Sequence, residues 1–537
     1  MSGAEDPATA SRRQAVIGAA SGALLASSAW ARPASGQPAP DDPILQTDHG
    51  PVRGLRADGL CLFRGVPYGA DTARTRFARP LPPDRWTELR PATAFGRASP
   101  QAGREPDQSE DCLALNIWTP DLNPGARRPI MVYVHGGGYM TGSGTAPLTD
   151  GAILAARHDV VVVTVNHRLN AFGYLYLEQL APGFRPDGGN AGQWDLVLAL
   201  SWVRAHALRL GGDPRRVMLF GQSGGGAKIA TLMATPAAQG LFSAAATMSG
   251  QQVTASGPLN ATRRAEAYLA ALGVHPARPQ ALLDLPAARL VEALRTADPV
   301  NPQMGLYFGP VLDQRLLPRH PFWPDAPPQA QAVPMIMGNV RDETRSLIGR
   351  SEPAAFSLTF EQLPGWLARH MRTDIDPALV IATYRAAYPQ ITAPDLFFAA
   401  TTAARSWRGQ VEQADARARQ GAPTWVYRLD LPSPQDGGRY GAFHTLDIAH
   451  AFGTLGAEGS ATGISAEAQQ VSDTLMGALA ALARTGRPTH RALPAWPQYR
   501  LPDRQTLLLD RAITVARDPR GVERALFATV PFIQWGS

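Results

Sequence analysis

The stretch that decides the fold is Val217-Met218-Leu219-Phe220-Gly221-Gln222-Ser223-Gly224-Gly225, followed by Ala227-Lys228-Ile229-Ala230. The four leading apolar residues favour a buried strand, the glycines permit a sharp turn, and the second segment favours a helix. Together they form the pattern G-x-S-x-G in a strand–turn–helix setting. Ser223 is therefore a candidate nucleophile. The alternative is a glycine-rich turn at the end of a strand that has no catalytic role, and it fits the strand–turn–helix setting less well.

Segments of the strand type alternate with segments of the helical type along the rest of the chain. The run 160–165 is apolar without alternation, which suits a strand buried on both faces of a parallel sheet. This alternation predicts an α/β fold with a mostly parallel, doubly wound central sheet and helical insertions. Small antiparallel strands are expected to precede it. The predicted strands are 44–47, 52–55, 60–63, 115–118, 130–134, 160–165, 217–220, 245–248, 335–337 and 425–429.

The first residues have the pattern of an export signal. Arg12-Arg13 opens a mildly apolar run that ends in Ala29-Trp30-Ala31, which resembles a twin-arginine signal with a cleavage site. The run contains too many Gly and Ser residues for a stable membrane span. The sequence therefore predicts a signal peptide over 1–31, a linker over 32–43 and a single catalytic domain over 44–537. The protein is expected to be periplasmic or secreted, without an integral membrane span in its mature form.

Composition argues against several other classes of protein. The formal net charge is +6, but the 51 basic residues are dispersed among 45 acidic ones, without the clusters that nucleic-acid binding requires. The two cysteines, Cys61 and Cys112, form no CxxC pair, and whether they pair with each other stays open. No HExxH motif is present among the eleven histidines, so a metal site is not expected.

A glycine loop follows the predicted strand 130–134, in His135-Gly136-Gly137-Gly138-Tyr139. Consecutive glycines let backbone N–H groups approach a substrate oxygen, so Gly137, Gly138 and Gly224 are predicted to form an oxyanion hole. A dinucleotide-binding loop is the rival interpretation. It requires an acidic residue at the end of the next strand, which ends instead in Asn166-His167-Arg168.

From about Gln46 onward, the chain resembles the type-B carboxylesterases, the family of para-nitrobenzyl esterases and cholinesterases. The resemblance rests on an ordered set of motifs: Phe63-Arg64-Gly65-Val66-Pro67-Tyr68, Glu110-Asp111-Cys112-Leu113-Ala114-Leu115-Asn116, Asn166-His167-Arg168-Leu169, Gly211-Gly212-Asp213-Pro214, Gly338-Asn339-Val340-Arg341-Asp342-Glu343 and Gly441-Ala442-Phe443-His444. An ordered set of this kind is far more specific than any single motif.

The resemblance implies an α/β-hydrolase fold and a Ser-His-Glu triad. Ser223 would be the nucleophile, His444 the general base and Glu343 the acid that orients it, with Asp342 as the second choice for the acid. His450 would be structural. Such an enzyme hydrolyses small-molecule esters through an acyl-enzyme and needs no cofactor. The alternatives are hydrolysis of amides or carbonates, or a catalytically silent adhesion protein on the same fold. The oligomeric state is left open.

Two departures from the cholinesterases bear on the substrate. Gln222 precedes the nucleophile where they carry Glu, and no tryptophan lies between Trp86 and Trp118. A quaternary ammonium group needs aromatic faces and nearby negative charge. Neutral esters are therefore the predicted substrates, with Tyr139 and Gln222 as candidate substrate-binding residues. Loop aromatics such as Phe308 or Phe322 are further candidates for the pocket wall.

Overall fold

A computed structural model describes residues 41–103, 105–491, 493–534 and Gly536. The predicted signal peptide and residues 32–40 of the predicted linker lie outside the described residues. Fourteen strands occur in the described part of the chain: β1 Ile44–Gln46, β2 Pro51–Arg53, β3 Leu55–Ala57, β4 Leu60–Pro67, β5 Arg90–Pro91, β6 Ala114–Thr119, β7 Arg128–Val134, β8 Val161–Val165, β9 Gly212–Gln222, β10 Ala244–Met248, β11 Met335–Val340, β12 Thr424–Leu429, β13 Gln505–Leu509 and β14 Thr514–Arg517.

Eleven of these strands form one sheet in the order β14-β13-β12-β11-β10-β9-β7-β8-β6-β4-β3. The seven strands from β13 to β8 run parallel to one another, and the strands beyond them at both ends of the sheet pair antiparallel with their neighbours. The prediction of a mostly parallel central sheet is confirmed. The valine run of β8 is buried along its length, but β8 pairs in parallel only with β7 and antiparallel with β6.

Helices cover both faces of this sheet, as a doubly wound fold requires. Those in the described residues are α1 Ala152–His158, α2 Asn170–Tyr174, α3 Ala191–His206, α4 Gly224–Met233, α5 Pro258–Leu272, α6 Ala281–Asp284, α7 Ala287–Glu292, α8 Glu343–Leu347, α9 Leu363–His370, α10 Pro377–Ala387, α11 Ala393–Thr402, α12 Arg408–Arg419, α13 Leu446–Phe452, α14 Ala466–Thr485 and α15 Gly521–Phe527. None of the helices that the structure describes is long and apolar enough to cross a bilayer.

The main core is split by the sheet into two layers, because successive side chains of a strand point to opposite faces. In β7, Ile130 and Val132 pack in one layer with α3, α4 and α12. Met131 and Tyr133 pack in the other layer with α1, α13 and α14. Burial on both faces explains why the central strands read as continuous apolar runs in the sequence. Two smaller apolar clusters lie among the inserted helices, one around α5 and α7 and one around α9 to α11.

The N-terminal strands differ from the prediction in one respect. β1 and β2 form a small separate sheet with β5, but β3 and β4 join the edge of the large sheet. The predicted third strand is thus part of β4, which pairs antiparallel with β6. Cys61 lies in β4, and both it and Cys112 are buried free thiols, so the open question of their pairing is answered in the negative.

Candidate active site

The serine lies on a strained turn between β9 and α4. Ser223 has φ 55° and ψ −124°, a backbone conformation that L-residues rarely adopt. The two residues that follow it must be glycine. A Cβ on Gly224 would lie 2.0 Å from the carbonyl oxygen of Gly138, and one on Gly225 would lie 1.9 Å from that of Val134. The turn is therefore possible only because the sequence places glycines after the serine.

His444 reaches the serine from the segment between β12 and α13. Its Nε2 lies 2.9 Å from Oγ of Ser223. The imidazole is buried, and the next residue, Thr445, adopts a left-handed backbone conformation with φ 81° that begins α13. A neutral imidazole with its proton on Nδ1 is placed to accept the serine proton.

Glu343 holds the other side of this imidazole. Its Oε2 lies 2.5 Å from Nδ1 of His444, and the carboxylate is fully buried at the start of α8. Its Oε1 accepts hydrogen bonds from Nδ2 of Asn339 at 2.8 Å and from the backbone N–H of Val340 at 3.3 Å. Both carboxylate oxygens therefore have partners, which fixes the side chain in one orientation.

Asp342, the second choice for the acid, faces away from the imidazole. Its Oδ2 accepts the backbone N–H of Ala442 at 2.9 Å and Nε of Arg341 at 3.0 Å. The backbone of Asp342 also pairs with the segment that carries His444. The structure thus brings Glu343 to the histidine and leaves Asp342 to anchor the segment that precedes it.

A second carboxyl group lies near this pair. Asp447 is fully buried, accepts a hydrogen bond from the hydroxyl of Tyr427 at 2.9 Å, and its pKa is raised to about 7 by burial and by the charge of Glu343. His450, on the same helix, is also buried, and burial lowers its pKa to about 4. A neutral His450 that is not among the described residues lining the cavity of Ser223 agrees with the structural role expected of it.

The glycine loop after β7, which the sequence predicts to form an oxyanion hole, has a backbone conformation that favours glycine. Gly137 and Gly138 have φ +80° and +65°, which side chains other than hydrogen disfavour. Gly138 and Gly224 line the same cavity as Ser223, whereas Gly137 does not. The N–H of Ser223 itself donates to the carbonyl of Met248 at 2.8 Å, so it is directed into the sheet.

Lys228, the only lysine of the chain, supports this loop from α4. Its Nζ is completely buried and donates to the carbonyl of His135 at 3.2 Å. Burial lowers the pKa of Lys228 to about 7. The carbonyl of the residue that leads into the glycines is therefore tied to the helix that follows the nucleophile.

Ser223 and His444 line a cavity of about 260 Å³. Of the two candidate substrate-binding residues, Tyr139 lines it and its hydroxyl donates to Oε1 of Gln252 at 3.1 Å. Gln222 is not among the lining residues that the structure describes; its amide nitrogen lies 3.4 Å from Nε2 of His444. No group of three or more His, Cys, Asp or Glu side chains in the described part of the chain is arranged to hold a metal ion.

The aromatic residues that line the cavity differ from those that the sequence suggested. Phe308 and Phe322 are buried in separate core clusters and do not line the cavity, so their proposed place there is wrong. Tyr307 and Phe532 line it instead. Tyr307 stands edge-on to Tyr139 with ring centroids 6.3 Å apart. Nothing in the local sequence marks Phe532, because it lies far along the chain from the nucleophile and arrives by tertiary folding.

Several polar lining residues were also missed. Ser249 and Gly250 directly follow β10, and residues just beyond the carboxyl ends of parallel strands commonly bind ligands, so this signal was available. Arg372 and Arg405 come from helical insertions and carry no comparable sequence signal. The polar lining residues that the sequence did not indicate are Ser249, Gln251, Gln252, Arg372, Arg405, Ser406 and Gln534.

Comparison with known proteins places this chain in a family. The model of the carboxylesterase family matches residues 41–526. A para-nitrobenzyl esterase of Bacillus subtilis (strain 168) is 35% identical over 495 residues, which are 90% of this chain and 97% of that protein. A phenmedipham hydrolase of Pseudarthrobacter oxydans is 32% identical over 515 residues, with 89% of this chain and 97% of that protein covered.

Solved structures agree with this placement. A carboxylesterase of Geobacillus stearothermophilus superposes with a TM-score of 0.81 at 33% identity, over 90% of this chain and 99% of that one. A PNB esterase structure gives a TM-score of 0.76 at 33% identity with the same coverage. The resemblance inferred from the motifs is confirmed. The chain belongs to the carboxylesterase family, has the α/β-hydrolase fold and is a carboxylic ester hydrolase.

Proposed function

We propose that this protein hydrolyses small-molecule carboxylic esters through an acyl-enzyme, with Ser223, His444 and Glu343 as its catalytic triad. One observation carries the assignment. The three side chains form a continuous chain of contacts, 2.9 Å and 2.5 Å long, that begins in a cavity and ends in the protein interior. Nucleophile, base and orienting acid in this order are what acyl transfer requires.

The chemistry follows from these positions. Ser223 Oγ attacks the ester carbonyl while Nε2 of His444 takes its proton, and the imidazolium is stabilised by Glu343. The backbone N–H groups of Gly137, Gly138 and Gly224 bind the oxyanion; loss of one such donor costs roughly 10²–10³ in kcat in comparable enzymes. His444 then gives the proton to the leaving alcohol. Water, activated by the same imidazole, releases the acid and restores the serine.

Two alternatives use the same fold. A catalytically silent adhesion protein has no need of an aligned Ser223, His444 and Glu343 beside a cavity, so the observed alignment favours the hydrolase. Hydrolysis of amides or carbonates uses the same nucleophile, but an amide releases an amine, and a carbonate presents a carbonyl that carries two alkoxy groups. A substrate panel that contains matched esters, amides and carbonates separates these possibilities.

We expect neutral esters to be preferred over choline esters. Tyr139, Tyr307 and Phe532 offer aromatic faces, each worth roughly 0.5–2 kcal/mol to a quaternary ammonium group. The described lining residues include no carboxylate, and two arginines among them repel a cation. The positive charges therefore oppose what the rings would contribute.

The test compares butyrylcholine with a neutral butyrate ester of similar leaving-group reactivity, alongside nitrophenyl esters of graded acyl length. We expect kcat/KM to be higher for the neutral butyrate. Gln222→Glu places a negative charge beside His444, where the cholinesterases carry Glu, and should reduce the difference in kcat/KM between the two butyrate esters. A higher kcat/KM for the choline ester would contradict this preference, and failure to cleave any ester of the panel would contradict the esterase assignment.

We also propose that the protein is exported and then processed, so that it acts in the periplasm or outside the cell. Support comes from Arg12-Arg13, the apolar run that follows and the small residues up to Ala31. The mature protein should begin shortly after Ala31, which mass spectrometry of the exported form reads directly. Changing both arginines to lysine keeps the charge but should block export. Unaffected export would indicate an ordinary secretory route, and a mature protein that retains residues 11–31 would refute the cleavage.

A further inference from the structure

One wall of the cavity beside Ser223 is a polar segment that directly follows β10. This polar wall consists of Ser249, Gly250, Gln251 and Gln252, all of which line the cavity. A Cβ on Gly250 would lie 2.0 Å from the carbonyl oxygen of Ser223, so the segment packs directly against the turn that carries the nucleophile. Residues just beyond the carboxyl ends of parallel strands commonly bind ligands. The polar wall is therefore placed to contact a substrate whose ester group lies at Ser223.

The surrounding protein holds the polar wall in a fixed position. The backbone N–H of Ser249 donates to the carbonyl of Gly338 at 2.7 Å, and that of Gln252 donates to Oε1 of Gln413 at 3.0 Å. The side-chain amide of Gln252 is hydrogen-bonded at both ends. Its Oε1 accepts the hydroxyl of Tyr139 at 3.1 Å, and its Nε2 donates to a backbone carbonyl at 2.7 Å. Gln252 thus has a structural task, which its neighbours in the wall do not share.

Two polar atoms of the wall are buried without a partner. Oγ of Ser249 and Oε1 of Gln251 are shielded from solvent, and neither has a hydrogen-bond partner among the residues that the structure describes. Ser249 is only 4% exposed, and its backbone has φ 50°, a conformation that is strained in residues other than glycine and that clusters at functional sites. A buried polar atom without a partner costs free energy and is rare in native proteins. Both atoms are therefore suited to a hydrogen bond that a ligand completes.

The chemistry of these two atoms indicates which group would complete them. The amide oxygen of Gln251 only accepts hydrogen bonds, whereas the hydroxyl of Ser249 both donates and accepts. A free hydroxyl group can donate to the first and either donate to or accept from the second. An ether or a ketone has no proton to give to Gln251. An ammonium group has one, but no carboxylate is found among the described lining residues to balance its charge.

We propose that the preferred substrates are esters that carry a free hydroxyl group, which hydrogen-bonds to Ser249 and Gln251 while Ser223 attacks the ester carbonyl. The inference rests on the proposed esterase function and narrows its substrate class from neutral esters to hydroxy esters. A site with such groups discriminates against a substrate that lacks the hydroxyl, because that substrate leaves the buried polar atoms unpaired. Leu347 and Phe532 line the same cavity and offer apolar surface to the carbon chain between the hydroxyl and the ester.

The hydroxyl can belong to the acyl part or to the alcohol part of the ester, and the assay has one arm for each. The first arm compares ethyl 3-hydroxybutanoate and ethyl 6-hydroxyhexanoate with ethyl 3-methylbutanoate and ethyl heptanoate, in which a methyl group replaces the hydroxyl. The second arm compares 4-hydroxybutyl butanoate with pentyl butanoate. We expect kcat/KM for at least one hydroxy ester to exceed that of its methyl match by about tenfold or more. The methyl ether of that hydroxy ester should lose most of this advantage, because an ether oxygen cannot donate to Gln251.

Gln251→Met is the decisive variant, because methionine keeps the length of the side chain and removes the amide. The ratio of kcat/KM for the hydroxy ester to that for its methyl match should fall about fivefold or more, and Ser249→Ala should lower it in the same way. In both variants kcat/KM for the methyl match should stay the same or rise, whereas a purely structural disturbance would lower it. Gln420→Met is the matched control. Oε1 of Gln420 is also buried without a partner among the described residues, but Gln420 does not line the cavity, so the ratio should not change.

Two results would overturn the inference and leave the esterase function standing. One is hydrolysis of these esters without a preference for any hydroxy ester over its methyl match. The other is an unchanged ratio in Gln251→Met. If no ester in either arm is hydrolysed, both the inference and the esterase function are overturned. Should Gln251→Met fail to fold, the ratio in Ser249→Ala and the comparison with the methyl ether in the unaltered protein decide the question.

Discussion

Ser223→Ala should fold normally and lose roughly 10⁴-fold or more in kcat on nitrophenyl esters. The loss is expected because Oγ of Ser223, 2.9 Å from Nε2 of His444, is the atom that would form the bond to the acyl group. The fold should survive because alanine carries the same Cβ as serine, so the strain of the turn at φ 55° does not increase. The measurements are steady-state turnover and a circular-dichroism melting curve.

Ser201→Ala serves as the control for this substitution. Ser201 lies on α3, and its hydroxyl donates to the carbonyl of Val197 at 2.8 Å, outside the cavity that Ser223 lines. It should keep wild-type turnover. A Ser223→Ala protein that retained a tenth of the wild-type kcat would overturn the assignment of the nucleophile.

Glu343→Gln should lower kcat about 10³- to 10⁴-fold, close to what the same kind of change costs in serine proteases. The amide cannot carry the negative charge that stabilises the imidazolium, and it favours the wrong tautomer of His444. The substitution is nearly isosteric, and Gln can still accept hydrogen bonds through its oxygen from Asn339 and Val340. The effect should therefore appear in turnover far more than in melting temperature.

Asp342→Asn is the matched comparison, one residue away in the chain. Its amide oxygen can still accept the N–H of Ala442, so the segment before His444 should stay in place. We expect a much smaller loss of turnover and a modest loss of stability, since the ionic contacts with Arg341 and Arg345 are weakened. A larger loss of turnover in Asp342→Asn than in Glu343→Gln would show that Asp342, and not Glu343, is the acid of the triad.

Part of the secondary structure could not be predicted from the sequence, for a physical reason. β13 and β14 extend the sheet beyond β12, yet neither was predicted. β13 spans five residues and β14 four, and hydrophobic periodicity does not distinguish such short runs from buried loop or helix. What makes them strands is pairing with a sheet edge that is assembled from distant parts of the chain.

The part of this protein that the sequence determined by itself is local. The strand, the turn and the helix around Ser223 follow from residues close to it in the chain, because the positive-φ turn at the nucleophile leaves no room for a Cβ at either of the two residues that follow it. The same holds for the loop at Gly137 and Gly138. His444 and Glu343 were identified from motifs whose order along the chain resembles that of a family.

The family resemblance favoured Glu343 over Asp342, but the directions of the two side chains, which bring Glu343 to the histidine and turn Asp342 toward the backbone of Ala442, are seen only in the tertiary structure. It also decided the chemistry of the cavity wall. Arg372, Arg405 and Phe532 come from segments far apart in the chain, and their convergence depends on helix packing and on one π-helical turn. Side-chain direction is set by such packing, and a sequence pattern records spacing along the chain but not direction in space.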